Sequence, residues 1–581
     1  MKRTYIIIAL GCFSTVIFYA GLHAQEVSNW IDYVQPLTLG EGTQADPFLV
    51  ETAEQLAFVA AETQENRNFS GQYLRITQDI DLYGKEWTPI GSLTSAGTLF
   101  SGTLDGGKHV IKNLTVNYLD ASPVGLFGAS RGFINDLYID NCSVSGFEYV
   151  GGLVGFIYEG AVNNCSVSGK VEGKNNRVGL LTGQNDGIVT GCSTTGTVIG
   201  KENVGGFLGI NYGSVTESSA AGQVKGDNQI GGFVGLLQKG KISNCKSACT
   251  VEGAQENIGG FLGQNSAVVA NSQASGDVSG RMYVGGFAGW NYYGSVDNCS
   301  ASGNLKGSAI IGGLIGSNET DQPLMKCFAT GRVEGSEGNV GGLVGINHGV
   351  VTHSYATGNV SGKDQLGGLI GISQAGAIVS CSARGSVEGS GDRVGGLIGK
   401  NNGSLSLCYA TGNVSGRNLV GGLIGTDREG CLFSNCYASG MVQGAGIYIG
   451  GLVGQCLGSV INCYAAGAVS GNQYLGGLVG AIFGALKNSV SACPTIQTTT
   501  NRFGGRIFGE DGEGATIENN YALRTTLLDG KEVNPKVVDK HTGINKEQID
   551  LYLQTTYQSG LSWDFDTIWK IEDGSGLPTL K

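Results

Sequence analysis

Cysteine is the residue whose number and spacing could do chemistry in this chain. Of 15 cysteines in 581 residues, nine recur at one or two multiples of about 27 residues, with Cys142 in the period before them. Exported proteins use cysteines for disulfides, and cysteine clusters also bind zinc. Serine takes the same place in four periods and no Cys-x-x-Cys pair occurs, so neither use fits. We predict small buried side chains facing the interior of a repeated fold, with no metal site. The row comprises Cys165, Cys192, Cys245, Cys299, Cys327, Cys381, Cys408, Cys436 and Cys463, with Ser218, Ser272, Ser354 and Ser489 in the same place. Off the row lie Cys249, Cys431, Cys456 and Cys493, whose pairing the sequence leaves open.

Catalytic motifs are the second possible source of chemistry. The five histidines form no His-Glu-x-x-His pair, which a zinc peptidase needs. Gly128–Gly132 matches Gly-x-Ser-x-Gly, but the residues after it predict a strand, and a nucleophile elbow leads into a helix. Asp79, Asp81 and Asp105 are the nearest carboxylate group, and a polysaccharide lyase or hydrolase built on them is the alternative that fold analogy supplies. We expect no enzymatic activity and no cofactor.

An aromatic row follows the cysteine row directly. Side chains alternate along a strand, so if cysteine points inward its successor points outward. Outward aromatic side chains one coil apart would suit sugar rings, and we take this row as the candidate ligand site. The alternative is a stabilising stack on one wall, and a bend before the cysteine leaves the facing open. The row is Phe328, Tyr355, Tyr409, Tyr437 and Tyr464, interrupted by Ser382.

Glycine sets the period of the elements that must position these residues. Gly-Gly-[Leu/Phe]-x-Gly recurs from residue 151 to 476, with altered copies at 179 and 504, and successive copies are 26 to 29 residues apart. Each period holds three short apolar segments, too short and too rich in glycine for helices. Strands repeated in register predict an all-β fold, a parallel β-helix of about 15 coils with three strands per coil. We expect right-handed winding from the crossover rule.

Asparagine recurs six positions after the first glycine of many copies. Equivalent residues of successive coils lie about 4.8 Å apart, so these side chains can hydrogen-bond along the rod. We predict a structural ladder at a bend with a left-handed backbone, which asparagine tolerates. Its members are Asn185, Asn211, Asn265, Asn291, Asn318, Asn347 and Asn401.

Both ends of a solenoid need covers, because open strand edges aggregate. The capping-box pattern Thr52–Gln55 predicts a short helix, and Asn545–Thr556 predicts another, followed by aromatic residues that cap the core. The expected organisation is therefore a signal peptide at 1–24, an N-terminal cap with leader coils at 25–123, the repeat solenoid at 124–509 and a C-terminal cap at 510–581.

Composition and the N-terminal segment limit where the protein is located and which partners it can have. Glycine makes up 101 residues without a Gly-X-Y period, charged residues are 14% and the net charge is −12, which excludes collagen and argues against nucleic acid. Met1–Ala24 predicts a secretory signal cleaved after Ala24, and acylation at Cys12 is a poorer match. No second long apolar stretch follows, so we expect an exported monomer without a transmembrane span once the signal is removed.

The repeat resembles the GLUG motif, Gly-Leu-hydrophobic-Gly, at 152–155, 342–345, 451–454 and 477–480. The stretch 408–416 is similar to the remainder of that repeat, and the resemblance covers nearly the whole mature chain. GLUG repeats occur in bacterial surface and secreted proteins, including some immunoglobulin A-specific metallopeptidases, where they lie outside the peptidase domain. The resemblance therefore implies an exported, non-catalytic scaffold for adhesion or binding, with a glycan or a host surface protein as ligand.

Overall fold

The chain winds into a parallel β-solenoid. The computed structural model describes residues 28–93, 98–500, 504–534, 536 and 539–581. Each typical coil adds strands to four sheets, and strands of successive coils pair in parallel, so the predicted all-β solenoid is confirmed. The right-handed winding stays a prediction. One coil has strands at Val340–Gly341 in the first sheet, Val344–Asn347 in the second, Val351–Thr352 in the third, and Tyr355–Ala356 with Val360–Gly362 in the fourth.

Four sheets, and not three, result from a sharp bend inside the Gly-Gly motif. A Cβ atom added to Gly341 would lie 1.9 Å from the carbonyl oxygen of Val344, and one added to Gly342 would lie 2.0 Å from that of Gly368. Only glycine allows backbones to approach so closely. The apolar segment that reads as one strand in the sequence is therefore divided between the first and second sheets.

The stack is longer than the predicted 15 coils. The third sheet has 18 strands, one per coil, because the leader coils pair in register with the repeat coils although they lack the glycine motif. Residues 48–135 therefore already belong to the solenoid. The strands are Phe48–Val50, Tyr73–Ile76, Thr103–Asp105, Phe133–Asn135, Ala161–Asn163, Ile188–Thr190, Ser214–Thr216, Lys241–Ser243, Val268–Ala270, Ser295–Asp297, Leu324–Met325, Val351–Thr352, Ala377–Val379, Ser404–Ser406, Leu432–Ser434, Ser459–Ile461, Ala485–Lys487 and Thr516–Glu518.

A helix covers the first coils, as predicted. It spans Ala53–Gln64, and the Thr52 hydroxyl accepts a hydrogen bond from the backbone N–H of Gln55 at 3.3 Å. The Gln55 side chain in turn accepts from the N–H of Glu51 at 2.6 Å, which completes a reciprocal cap. Leu56, Val59 and five other helix residues are buried against the solenoid.

The core consists of files of identical or similar side chains along the rod. Four phenylalanine rings stack through successive coils, with centroids 4.5 Å apart between Phe207 and Phe233 and 4.7 Å apart at the next two steps, to Phe261 and Phe287. In later coils leucine takes this place, for example Leu343. Parallel pairing brings equivalent residues of successive coils into contact, so each file shows that the coils are stacked in register.

The cysteine row is buried, and all fourteen described cysteines are free thiols, which confirms the prediction of a non-disulfide row. Each side chain of the row also donates a hydrogen bond to the carbonyl oxygen two residues earlier, a contact that the sequence did not suggest. For Cys327 the acceptor is Met325 at 3.2 Å, and for Ser354 it is Thr352 at 2.9 Å. The Ser354 hydroxyl also accepts from the backbone N–H of Cys327 at 3.1 Å. Serine can replace cysteine because either side chain supplies the donor and acceptor.

Cys142 does not belong to this row, contrary to its place in the sequence pattern. It pairs with Gly169, and the same file continues through Gly196 and Gly222 to Cys249. The pairing of this coil with the coil before it shifts register between Val167 and Gly169. Counting residues from the glycine motif therefore places Cys142 in the wrong file. Cys142 therefore shares a file with Cys249.

A left-handed residue precedes each cysteine or serine of the row and turns the chain from the third to the fourth sheet. Asn298 has a φ of +50° and His353 of +49°. Asparagine fills this place in most coils because its side chain tolerates the left-handed region. The predicted bend before the cysteine is therefore present. The recurring Asn-Cys pair marks this bend, with asparagine as the left-handed residue, which the sequence analysis did not recognise.

The predicted asparagine ladder is present in the second sheet as two hydrogen-bonded runs, Asn185 to Asn211 and Asn265 to Asn347. Leu237 separates the runs, and Ser373 separates Asn401 from the second. The Nδ2 atom of Asn265 donates to Oδ1 of Asn291 at 2.7 Å, and Asn291 donates likewise to Asn318. All seven members are buried. None has a positive φ, so the predicted left-handed backbone at this row is wrong. These residues end extended strands, and the amide satisfies backbone groups of the following turn, such as the carbonyl of Gly349 from Asn347.

The C-terminal residues fold back along the side of the rod. A predicted helix at Asn545–Thr556 is wrong, because Ile544–Lys546 pairs as a strand with Tyr521–Leu523. A 3-10 turn at Asp550–Tyr552 and a helix at Gln554–Leu561 follow, and then a two-stranded ribbon of Trp569–Lys570 and Thr579–Leu580. We call residues 550–581 the strap.

The strap lies against the outer face of the fourth sheet, and its aromatic residues form a second apolar cluster beside the main core. The indole N–H of Trp563 donates to the carbonyl of Asn488 at 2.9 Å, and that of Trp569 donates to Oδ1 of Asn435 at 3.3 Å. The predicted cap at the end of the core is therefore wrong in position, because these aromatics cover a wall.

Truncation of one ring in the phenylalanine stack tests the file. We expect Phe233→Ala to lower the free energy of unfolding by about 3–5 kcal/mol, because a fully buried ring leaves a cavity between two stacked neighbours. Phe233→Leu is the matched control, since leucine fills this place in later coils, and it should cost less than about 1.5 kcal/mol. Urea denaturation measures both; equal losses would contradict the file.

Thiol titration tests the cysteine row. All fourteen described cysteines are buried, and burial raises the pKa of Cys245 to about 12 and also raises that of Cys299, so these inaccessible thiols should barely react with Ellman's reagent at pH 8. In guanidinium without reductant, all fourteen described cysteines should react. A smaller number would mean that disulfides form.

Candidate functional site

The predicted aromatic row lies on the outer face of the fourth sheet. Phe328, Tyr355, Ser382, Tyr409, Tyr437 and Tyr464 pair in register through consecutive coils. The cysteine before each member (Ser354 before Tyr355) and the alanine after it are buried in the core. Side chains alternate across a strand, so the rings stand on the opposite, outer face.

The rings stack as flat columns on either side of Ser382. Phe328 and Tyr355 have centroids 5.0 Å apart and planes within 2°. Tyr409 and Tyr437 are 4.9 Å apart within 3°, and Tyr464 continues that column at 4.8 Å. The coil spacing alone imposes these separations. The stabilising stack, one of the two interpretations of the sequence, therefore exists.

The strap covers the C-terminal part of the row. Tyr437 is 9% exposed and Tyr464 is 4% exposed, and both pack against Trp569. The Tyr464 hydroxyl donates to the carbonyl of Pro578 at 2.8 Å. These two residues hold the strap on the rod, and the strap leaves them no open face for a ligand. The predicted five-residue site is wrong at these two positions.

Three members of the row remain accessible. Tyr355 is 40% exposed, and Phe328 and Tyr409 are partly exposed. The Arg384 guanidinium donates to the Tyr409 hydroxyl at 2.8 Å and lies 5.9 Å from its ring centroid. Burial raises the pKa of Tyr409, but the hydrogen bonds with Arg384 and Ser382 outweigh it and leave the pKa below its ordinary value.

A cleft of about 420 Å³ lies where the open part of the row meets the strap. Tyr355, Ser382 and Tyr409 line one side. The other walls come from the left-handed turns, including His353 and Ser380, and from the strap, including Thr567, Ile568, Leu580 and Lys581. The sequence could not indicate this cleft, because its second wall depends on where the strap packs.

The leader carboxylates are engaged by neighbouring side chains and backbone groups. Asp79 accepts from the Lys112 ammonium at 3.0 Å and from the backbone N–H of Val110 at 3.1 Å. The Lys112 hydrogen bond in particular lowers the pKa of Asp79. Asp81 accepts from the Asn113 amide at 2.8 Å. A general acid needs a raised pKa, so these contacts favour a structural role.

Asp427 is a buried carboxylate in the asparagine file, and sequence reasoning missed it. It pairs in register with Asn401 and is 4% exposed. Its carboxylate accepts from the backbone N–H groups of Leu457 at 2.6 Å and Gly458 at 3.0 Å, and from the thiol of Cys456 at 3.7 Å. Burial raises the pKa of Asp427 to about 7, because these donors offset only part of the lost hydration.

A sequence profile of the GLUG motif matches residues 148–172, 280–306 and 336–361. The chain contains GLUG repeats. The matched segments lie in coils that carry the glycine bend and the fourth-sheet strands, which confirms the resemblance at those repeats. Within the described residues, no helix combines the length and apolarity needed to cross a bilayer.

Two relatives are similar in sequence to part of the chain. "Putative Gly-rich membrane protein" from Evansella cellulosilytica is 33% identical over 199 residues, which are 32% of this chain and 18% of that protein. "Halomucin" from Haloquadratum walsbyi is 34% identical over 156 residues, which are 25% of this chain and 2% of that protein. The chain thus spans less than a fifth of either relative's length.

One solved structure, titled as a putative immunoglobulin A1 protease from Bacteroides ovatus, is similar over 93% of this chain and 94% of its own. The identity is 16% and the TM-score is 0.22, a likeness too weak to carry an argument about activity.

The buried carboxylate predicts a pH dependence of stability. The folded-state pKa of Asp427, about 7, lies above the ordinary 3.8, so between these values the folded chain holds a proton that the unfolded chain has released. Its contribution is fully present below pH 3.8 and is lost as the pH rises to 7. We expect the free energy of unfolding to fall by at most about 1.4 kcal/mol per pH unit from this group.

The variant Asp427→Asn should flatten that slope, because asparagine occupies the same file in the preceding coil and does not titrate. Denaturation at pH 5, 6, 7 and 8 measures it, with Asp321→Asn as an exposed control. A variant that keeps the wild-type slope would contradict the assignment.

Proposed function

We propose that the protein is an exported, non-catalytic binding scaffold, secreted or held at the cell surface, and that it binds glycans through Phe328, Tyr355 and Tyr409. The observation that carries this proposal is the open end of the aromatic row. Three flat rings stand in one line on a wall of the rod, and the buried residues on either side fix their positions.

The rod offers what a binding surface for a repeating polymer needs. Its ring positions recur at the coil spacing of about 4.8 Å, and the hydrogen-bonded ladders inside leave the wall little freedom to deform. A ligand that meets such a pre-formed surface loses less conformational entropy on the protein side. Aromatic faces provide apolar contact for the C–H faces of sugar rings, and the Arg384 guanidinium provides polar contact at their edges.

Export is supported by the type of repeat, by the fold and by the name of one relative. GLUG repeats and a β-solenoid suit a surface scaffold, and one relative is named as a membrane protein. The signal peptide expected at Met1–Ala24, with Cys12 as the alternative acylation site, lies outside the described residues. Secretion and cell-surface attachment therefore both belong to this proposal.

A polysaccharide-cleaving enzyme is the alternative that the fold class suggests. It would need a carboxylate with a raised pKa beside an open surface. Asp427 has a raised pKa but is buried in the core, and Asp79 is exposed but ion-paired. Burial also raises the pKa of the exposed Asp186, but its carboxylate accepts a hydrogen bond from the Gln184 amide at 2.9 Å, which opposes that rise. We therefore favour binding. Cleavage of a polysaccharide by the wild type that stops in Asp79→Asn or Asp81→Asn would reverse this preference.

Loss of the open rings tests the binding proposal. Replacing Tyr355 and Tyr409 with serine should weaken binding on a glycan array about 5-fold or more, since each ring contributes about 0.5–1.5 kcal/mol of contact. Circular dichroism should not change, because Ser382 already occupies the row in the coil between them. Tyr83→Ser, which removes an exposed tyrosine elsewhere, is the matched control.

Unaltered glycan binding in the double variant would overturn the assignment of the row. Binding only to a host surface protein, and to no glycan, would keep the scaffold and replace the ligand class.

A further inference from the structure

The aromatic row has a single gap between its two columns. Tyr355 pairs in register with Ser382, and Ser382 pairs with Tyr409, so the two tyrosine rings stand two coils apart. At about 4.8 Å per coil their faces are about 10 Å apart. Both rings continue into columns whose planes agree within 3°, so the two faces are held by their neighbours.

The gap opens into the cleft beneath the strap. Ser382 forms its floor and is 7% exposed. The cysteine before Ser382 and Ala383 after it both face the core, and Arg384, the next outward residue, lies against Tyr409 with its guanidinium 5.9 Å from the ring centroid. The gap is therefore a slot with two flat apolar walls and one small polar residue at its base.

The edge of the slot is polar. The Ser382 hydroxyl lies at the floor, the Arg384 guanidinium lies beside the Tyr409 hydroxyl, and Ser380 and His353 lie along one side. On the other side the strap brings Thr567 and Lys581. Apolar faces with hydrogen-bonding groups around the perimeter match a ring that is apolar on both faces and carries hydroxyls at its edge.

We propose that this slot binds one pyranose ring of a glycan, sandwiched between Tyr355 and Tyr409, with its hydroxyls directed to Ser382, Arg384 and the strap. The assignment rests on the proposed glycan-binding function and names the subsite within it. The ring takes the place that an aromatic side chain holds in the flanking coils.

The dimensions admit one six-membered ring. A ring midway between the tyrosines lies about 4.8 Å from each, the separation at which the flanking columns hold their own rings. The polar edge favours a pyranose, whose hydroxyls lie around its perimeter. The aromatic side chain of a protein partner is the competing occupant and would gain nothing from the polar edge.

Filling the slot from within the chain tests the proposal. Ser382→Tyr should complete the column, because tyrosine already occupies this place in the next three coils, and the fold should keep its circular dichroism and its melting temperature. Titration calorimetry would use cellohexaose, chitohexaose and mannohexaose at up to about 5 mM. We expect at least one to bind the wild type, to bind Ser382→Tyr at least 10-fold more weakly, and to bind Ser219→Tyr, which adds a tyrosine to the same row far from the slot, within 3-fold of the wild type. Ser382→Leu, which fills part of the slot, is the second variant if Ser382→Tyr fails to fold.

The outcomes separate the slot from the wider proposal. If Ser382→Tyr binds as well as the wild type or better, while Tyr355→Ser weakens binding, the row is a continuous platform; the proposed function then stands and the slot is overturned. If none of the three hexasaccharides binds the wild type, the pyranose slot is overturned, and the glycan array decides the proposed function separately. Binding of p-cresol that Ser382→Tyr abolishes, without binding of any hexasaccharide, would identify an aromatic side chain as occupant and also overturn the proposal.

Discussion

Parallel pairing between successive coils is the interaction on which the rest of this structure depends. It holds equivalent residues about 4.8 Å apart, so every position in the repeat becomes a file along the rod. A polar group placed inside such a file meets its own copy in the next coil. The asparagine side chain carries both a donor and an acceptor, and for that reason it can satisfy itself along the rod, as between Asn265 and Asn291. A carboxylate has no donor, and Asp427 must find its partners in the backbone of the following turn.

The same constraint explains why thiols and hydroxyls share a row. The left-handed residue before Cys327 turns the chain and leaves a carbonyl at the corner, which the thiol caps at 3.2 Å. The carbonyl at each corner needs a hydrogen-bond donor. The strength of that donor matters less, since cysteine supplies a weak S–H donor in nine coils and serine supplies an O–H donor in four. Disulfides would join neighbouring coils in pairs and remove the donors that the corners use.

Sequence reasoning reached the features that recur with the period and missed those that do not. The glycine spacing gave the solenoid, and the asparagine and cysteine rows gave two internal files. It assigned three strands per coil because Val-Gly-Gly-Leu-Val-Gly looks continuous, and the bend at Gly341 and Gly342 depends on contacts with the next coil. The strap was missed for a different reason. Residues 550–581 have no repeat, and the propensity for a helix at Asn545–Thr556 lost to strand pairing at Ile544–Lys546.

The strap also decides which part of the aromatic row is available to a ligand. Flat rings at the coil spacing are equally suited to hold another segment of the same chain and to hold a sugar, so the row alone does not define a site. Trp569 and Pro578 occupy the wall at Tyr437 and Tyr464, and the ribbon ends beside Ser382, where the row has its gap. The chain thus covers the unbroken column with its own aromatic residues and leaves the interrupted part open. The proposed binding site lies at the coil that departs from its neighbours in this row, because only a departure from the file creates a space that the neighbouring coils hold open.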